Sequence, residues 1–280
     1  MLSSAHLAEY AENGFTIVRA LIEPAEVEAL LAHYMRLHDE GFDTGEEIDA
    51  RLKREDPLRG WPRLMHPHRR DPVSKSWLLD LRIQQVLRAL LDDEPLAAQS
   101  MVYYKPPGGR GHALHQDQYF LRVKPGTCVA AWIALDPADE GNGGLRVVPG
   151  MGSLPLLCVQ PADDAVSWST ITCPLPDDAK AIELSLASGD ALFFNGWAPH
   201  GSLPNRSKDR FRRNLIGHYI PASAEQVSSW YLPLVDFEGN DVLREPAPSG
   251  GPCGIWTEDG GKLRVEFVIP DAPQPALLHE

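Results

Sequence analysis

Apolar positions recur at helical spacing near the start of the chain and at strand spacing further on. Residues 3–13 predict a short helix, with Ser3 or Ser4 as N-cap and Asn13-Gly14 as its end. Phe15-Thr16-Ile17-Val18 is strand-like. After Pro24, the residues Val27, Leu30, Leu31 and Tyr34 fall on one helical face that packs against a sheet. A second packing helix is predicted over 76–92, where Trp77, Leu78, Leu81, Ile83, Val86, Leu87, Leu90 and Leu91 repeat. Beyond it the pattern shortens to strand-like runs divided by Gly, Pro and Asp, at 97–105, 128–135, 144–148, 181–187, 191–195 and 213–220. A last run, Leu263 to Val268, is expected to join the sheet or cover one of its edges. Helices first and many short strands later predict an α+β chain with a β-rich core, a jelly roll with flanking N-terminal helices.

Composition sharpens this picture in a few places. A chain of 280 residues, 43% of them hydrophobic, is within reach of one large domain. Its expected parts are helical support over 1–92, a core over about 97–220 and an extension over 221–280. The numerous Pro and Gly (25 and 23) suit turns around short strands rather than a helix bundle. A formal charge of −13 argues against nucleic acid as a partner, because backbone binding needs a broad basic surface. Cys128, Cys158, Cys173 and Cys253 form no CxxC pair, which points to free thiols rather than zinc or a disulfide framework. The N-terminus lacks a secretory pattern and no apolar run is long enough to span a bilayer, so a soluble, cytoplasmic protein is expected.

One stretch stands apart. Residues 51–75 hold eight Lys or Arg against three acids, with Pro57, Pro62, Pro67 and Pro72 breaking any long element. Such a loop is either a lid that attracts an anionic group or a solvated segment that offsets acidic neighbours.

The chemistry centres on His115-Gln116-Asp117. On an extended segment His115 and Asp117, two apart, point to the same side and can face one ion; the alternative is a His–Asp hydrogen bond in a loop. His200 lies in Trp197-Ala198-Pro199-His200-Gly201-Ser202, where the chain turns out of strand 191–195 and leaves the imidazole at a barrel mouth. Arg212 shares one strand face with Asn214, Ile216 and His218. If that face lines the barrel, Arg212 is a buried cation in need of an anion. Arg210 and Arg213 compete for the role, Arg213 from the opposite face. His112 and His218 are read as members of the site wall or of the core. Two His and one carboxylate can bind one face of an octahedral Fe(II) and leave positions open, while a fixed cation can hold a dicarboxylate cosubstrate.

Together these residues resemble the phytanoyl-CoA dioxygenase family of Fe(II)/2-oxoglutarate oxygenases, whose fold is a double-stranded β-helix, a cupin-like jelly roll. The resemblance is carried by the run from Gln99 to Gly108, then His115-Gln116-Asp117, Ala131 to Asp136, Asn142 to Gly150, His200-Gly201-Ser202 and the N-terminal Gly14 to Arg19. It covers roughly 10–220; residues 42–76 and 222–280 match no signature. The resemblance implies His115, Asp117 and His200 as iron ligands, and Arg212 with Ser202 on the distal carboxylate of 2-oxoglutarate. It also implies Gln99, Tyr103 and Lys105 as groups that position the cosubstrate. Trp132 and Trp197 either wall the pocket or belong to the core.

The activity so implied uses Fe(II), 2-oxoglutarate and O2 to hydroxylate an unactivated C–H of a small molecule, with release of succinate and CO2. Asp117 supports oxygenation over halogenation, because related halogenases replace the carboxylate ligand with a small residue. The expected substrate is an acyl or carboxylic acid or a secondary-metabolite intermediate, anionic if loop 51–75 reads it. Desaturation, cyclisation or epimerisation by the same centre stay open. So do a non-catalytic jelly-roll binding protein and an enzyme that uses another metal without 2-oxoglutarate.

Overall fold

A computed structural model describes residues 2–44, 54–260 and 262–270. Arg51 and Lys53 of the basic loop lie outside those residues. The first helix, α1 (Ser4–Asn13), is capped by Ser3, whose hydroxyl accepts from the His6 backbone, and is closed by Gly14 at φ 81°. Helix α2 (Pro24–Asp39) buries Val27 and Tyr34, with Leu30 and Leu31 packed at the rim of the same core. The single helix expected over 76–92 is instead two, α3 (Pro72–Leu78) and α4 (Leu81–Leu91). Two aspartates cause the break: Asp71 accepts from the Ser74 N–H to start α3, and Asp80 accepts from the Arg82 N–H to start α4. An N-cap residue is non-helical, so a cap at Asp80 ends one helix as it opens the next.

Two antiparallel sheets form the jelly roll. The larger runs in the order Phe15–Val18, Ala191–Asn195, Val129–Ala134, Arg212–Pro221, Pro95–Lys105, Leu234–Val235, Asp241–Val242, with Leu64–Met65 also on Pro95–Lys105. The smaller runs His112–His115, His200–Ser202, Leu145–Val147, Ile182–Glu183. Only Ile182 and Glu183 of the run predicted at 181–187 join it, while Leu186 makes an isolated bridge to Ala138.

Strand Val129–Ala134 shows why antiparallel strands can read as unbroken apolar runs. All six residues are buried. Val129, Ala131 and Ile133 face the cluster under the helices, with Val27, Tyr34, Ile83 and Leu87. Ala130, Trp132 and Ala134 face the space between the sheets, with Met101, Leu145, Phe194 and Ile216. Helices thus cover the outer face of the large sheet and leave the inner face to the barrel.

The C-terminal segment departs from expectation. Lys262–Val268 pairs with Cys253–Asp259 as a separate two-stranded hairpin and does not join either sheet. Nor are all four thiols free: Cys158 and Cys253 form a disulfide across 95 residues of sequence, while Cys128 and Cys173 are free and buried. No local spacing could announce that bond. It follows from backbone pairing, in which Cys158 N–H donates to Gly254 O (2.9 Å) and Gly254 N–H to Leu156 O (2.7 Å), bringing the two Cα atoms to 4.9 Å. Among the described residues no helix is long and apolar enough to cross a membrane.

Candidate metal centre

His115 and His200 meet because they are direct cross-strand partners in the small sheet. Residues opposite one another on an antiparallel pair hold their side chains within contact, and the two rings stand 4.2 Å apart between centroids. Asp117 arrives differently from the sequence reading. The strand ends at His115, and Asp117 has helical dihedrals (φ −61°, ψ −29°) at the start of α5 (Gln118–Leu121). The turn between them is fixed by Gln116, which is buried and bonds backbone on both sides: its Nε2 donates to Trp197 O (2.8 Å) and Pro155 O (3.1 Å), and its Oε1 accepts from Leu157 N–H (2.8 Å).

The result is a convergent set of ligand atoms, all within 4.8 Å of one another and all buried. Asp117 Oδ1 lies 3.6 Å from His115 Nε2 and 3.5 Å from His200 Nε2. Each imidazole is oriented by its other nitrogen: His115 Nδ1 stands 2.9 Å from Ala113 O, and His200 Nδ1 3.0 Å from Ala198 O. A carbonyl only accepts, so each Nδ1 carries the proton and each Nε2 presents a lone pair inward. The donor set fits a metal. Asp117 Oδ2 takes a hydrogen bond from His218 Nε2 (3.0 Å).

Burial pushes the His115 imidazole down to about 3 and lowers His200 as well, aided for His115 by the neighbouring His200. Burial opposes charge on Asp117, yet the surrounding imidazoles and the His218 bond hold its carboxyl below the usual range. The ligands are thus in the protonation state that a metal requires. His68, buried beside Ser100, is likewise pushed down to about 3, by burial and then by Arg69 and Lys75. A folded state that keeps a histidine neutral while the unfolded chain protonates it near 6.5 loses stability as pH falls from 6.5 toward 3. Denaturant midpoints of the metal-free protein should therefore drop between pH 7 and pH 5, and His68→Leu should flatten that slope.

The cluster opens into a pocket of about 470 Å3, counting its mouth. Arg212 lies in its wall, 3% exposed. Its Nε donates to Gly143 O (3.2 Å), its Nη1 to Asn214 Oδ1, and its guanidinium faces the Trp132 ring. Burial pushes it down to about 10, so it stays charged at neutral pH. The competing arginines are spoken for: Arg213 forms two bonds to Asp136 and Arg210 two to Asp139. Among the described residues Arg212 has no carboxylate within ion-pair distance. Ser202 also lines the pocket; its Oγ accepts from Lys105 Nζ (2.7 Å) and the His112 N–H (3.3 Å), which leaves its proton to donate.

Of the other sequence candidates, Tyr103 and Trp132 line the pocket. Gln99 and Lys105 do not. Both are buried on the face shared with Met101 and Tyr103: Gln99 lies opposite His218, and Lys105 Nζ is held by Gly143 O, Leu203 O and Ser202 Oγ. Trp197 is not among the lining residues and contributes its carbonyl to Gln116. The sequence reading missed Trp168, whose ring packs at a tilt on His112 (4.3 Å), which stacks in turn on His115 (3.8 Å). Arg63 stands over Trp168 at 4.1 Å and donates to Tyr103 OH (3.1 Å).

Fold and cluster define a class: a double-stranded β-helix with two histidines and one carboxylate converging at one end of the barrel. The phytanoyl-CoA dioxygenase (PhyH) family model matches residues 10–214, and the chain belongs to that family. It is 30% identical over 141 residues to phytanoyl-CoA dioxygenase 1 of Oryza sativa subsp. japonica, covering 50% of each chain. To the peroxisomal phytanoyl-CoA dioxygenase of Rattus norvegicus it is 23% identical over 236 residues, 78% of this chain and 68% of the relative. The chain thus spans half the length of the rice relative. The fold is shared with the solved structure of the epimerase SnoN in complex with Fe3+, alpha ketoglutarate and nogalamycin RO, at TM-score 0.67 and 21% identity, over 88% of this chain and 95% of that one.

Proposed function

We propose that the protein is an Fe(II)- and 2-oxoglutarate-dependent oxygenase that hydroxylates a C–H bond of a small molecule. The observation that carries this reading is the pairing, in one pocket, of the buried His115–Asp117–His200 cluster with a buried Arg212 that has no carboxylate among the described residues. His115 Nε2, His200 Nε2 and Asp117 Oδ1 would hold the iron, which when bound supplies the oxidative decarboxylation of 2-oxoglutarate to succinate and CO2. Arg212 and the Ser202 hydroxyl offer adjacent donors to the far carboxylate of that cosubstrate. Trp132, Phe194, Met101 and Ile216 exclude water from the reacting centre. SnoN, which shares the fold, is an epimerase; for this chain, hydroxylation is the outcome we propose. Anaerobic addition of Fe(II) and then 2-oxoglutarate to the metal-free protein should give a weak visible charge-transfer band. No band in folded, iron-loaded protein overturns the assignment.

For the substrate we propose an anionic group read at the pocket mouth. Asp117 is the one acid among the described lining residues, and Arg63 stands over Trp168 and donates to Tyr103 OH, both of which line the pocket. Three other cations of the basic loop serve the fold: Arg70 pairs with Asp43, Arg69 donates to Leu232 O (3.2 Å), and Lys75 to Gly239 O (2.9 Å). Arg63→Ser should therefore raise the substrate KM about tenfold, the loss of roughly one charge-assisted hydrogen bond, while Arg69→Ser and Arg70→Ser leave it unchanged. Substrate-stimulated succinate release over a panel of small acids is the measurement.

A further inference from the structure

His218 is buried on the inner face of strand Arg212–Pro221, and among the described residues its side chain makes a single hydrogen bond, from Nε2 to Asp117 Oδ2. Its Nδ1 is buried with no hydrogen-bond partner among the described residues. A carboxylate oxygen accepts, so His218 Nε2 is the donor and its N–H is committed to Asp117. The carboxylate is thereby divided: Oδ1 faces the two ligand imidazoles and Oδ2 is held away from them.

Among the described residues no other hydrogen bond orients that group. An aspartate at the start of a helix ordinarily turns its side chain to the backbone N–H groups of the first turn. Asp117 starts α5 but makes no such bond. Rotation of its carboxylate is restrained by His218 alone among the described residues. The strand that delivers His218 also delivers Arg212, six residues earlier on the same face, and a register shift follows immediately between His218 and Tyr219. Such irregularities re-aim side chains beside active sites.

We propose that His218 is a positioning residue for the metal: it fixes Asp117 as a ligand through Oδ1 alone and keeps the second oxygen from taking a further coordination position. This rests on the reading of His115, Asp117 and His200 as a metal site. Without the bond, the carboxylate is free to turn and bind through both oxygens, which would close one of the positions that cosubstrate and dioxygen need.

The test uses the full chain, stripped of metal, with Co(II) as the probe, because its visible absorption reports coordination number. Wild-type protein should take up Co(II) and His115→Ala should not; if the wild type takes up none, the metal-site reading and this inference fall together. Given uptake, His218→Phe should weaken Co(II) binding by about 10–100-fold, the range found for partners that orient metal ligands, and change the band intensity. His218→Gln, whose amide can still reach Oδ2, should recover most of the affinity and the wild-type band. His218→Asn, polar but too short to reach, should behave like His218→Phe, and stands in for it should the Phe variant not fold. Wild-type affinity and spectrum in His218→Asn or His218→Phe would overturn the proposal. Equal weakening in the Gln variant, at an unchanged melting temperature, would do so as well.

Discussion

His200→Ala is expected to abolish 2-oxoglutarate turnover and to weaken Fe(II) binding by more than 100-fold. That bound comes from the effect of groups that merely orient ligands, about 10–100-fold, which a ligand itself should exceed. The reason lies in the pairing of strands. His200 sits opposite His115 in the small sheet, and its Nε2 is one of three inward lone-pair donors around a buried centre. With alanine there, the cluster keeps a histidine and an aspartate, too few to hold the ion against water. Two measurements check this: anaerobic calorimetry with Fe(II), and succinate formation in the presence of added iron. Full succinate formation by His200→Ala would remove His200 from the centre. Because the imidazole is neutral and buried, its loss should not lower the stability of the metal-free protein by more than a cavity of that size does, about 2–5 kcal/mol.

Arg212→Ala should raise the apparent KM for 2-oxoglutarate by on the order of 100-fold, the equivalent of roughly 3 kcal/mol for a buried charged hydrogen-bond pair. Iron affinity should change little, since Arg212 contacts no ligand. Stability should move the other way. A guanidinium buried without a carboxylate is costly in the cosubstrate-free state, so the free variant should melt no lower than wild type, whereas Arg213→Ala, which strands Asp136, should melt lower. Kinetics at varied 2-oxoglutarate with thermal melts of both variants decide the matter. An unchanged KM in Arg212→Ala would leave the buried cation without a role and favour an enzyme that uses another metal and no 2-oxoglutarate.

Periodicity carried most of the architecture. The alternation 212, 214, 216, 218 puts Arg212 and His218 on one face, and in the structure both line the pocket. What periodicity could not carry is where a face ends. Gln99, Met101, Tyr103 and Lys105 alternate together, yet only Met101 and Tyr103 line the pocket, while the Lys105 ammonium is drawn to Gly143 O, Leu203 O and Ser202 Oγ. Cross-strand register was equally hidden: nothing near His200 announces His115 as its neighbour. Trp168 and the disulfide were invisible for a related reason. Both belong to segments with no repeat, placed by contacts with residues far away in sequence. The break at Leu79 was legible in principle, since Asp80 is a capping residue followed by an apolar helix.

The family match ends at residue 214, but the molecule is not finished there. Cys253 ties the C-terminal hairpin to Cys158, and the residue before Cys158 holds the side chain of Gln116, wedged between two of the three ligands. A hairpin that lies beyond the family match is thereby tied covalently one residue from the clamp on the turn that places Asp117. Any version of this protein trimmed to its recognisable core would be cutting a covalent guy-rope whose other end stands a single residue from the clamp on the metal loop.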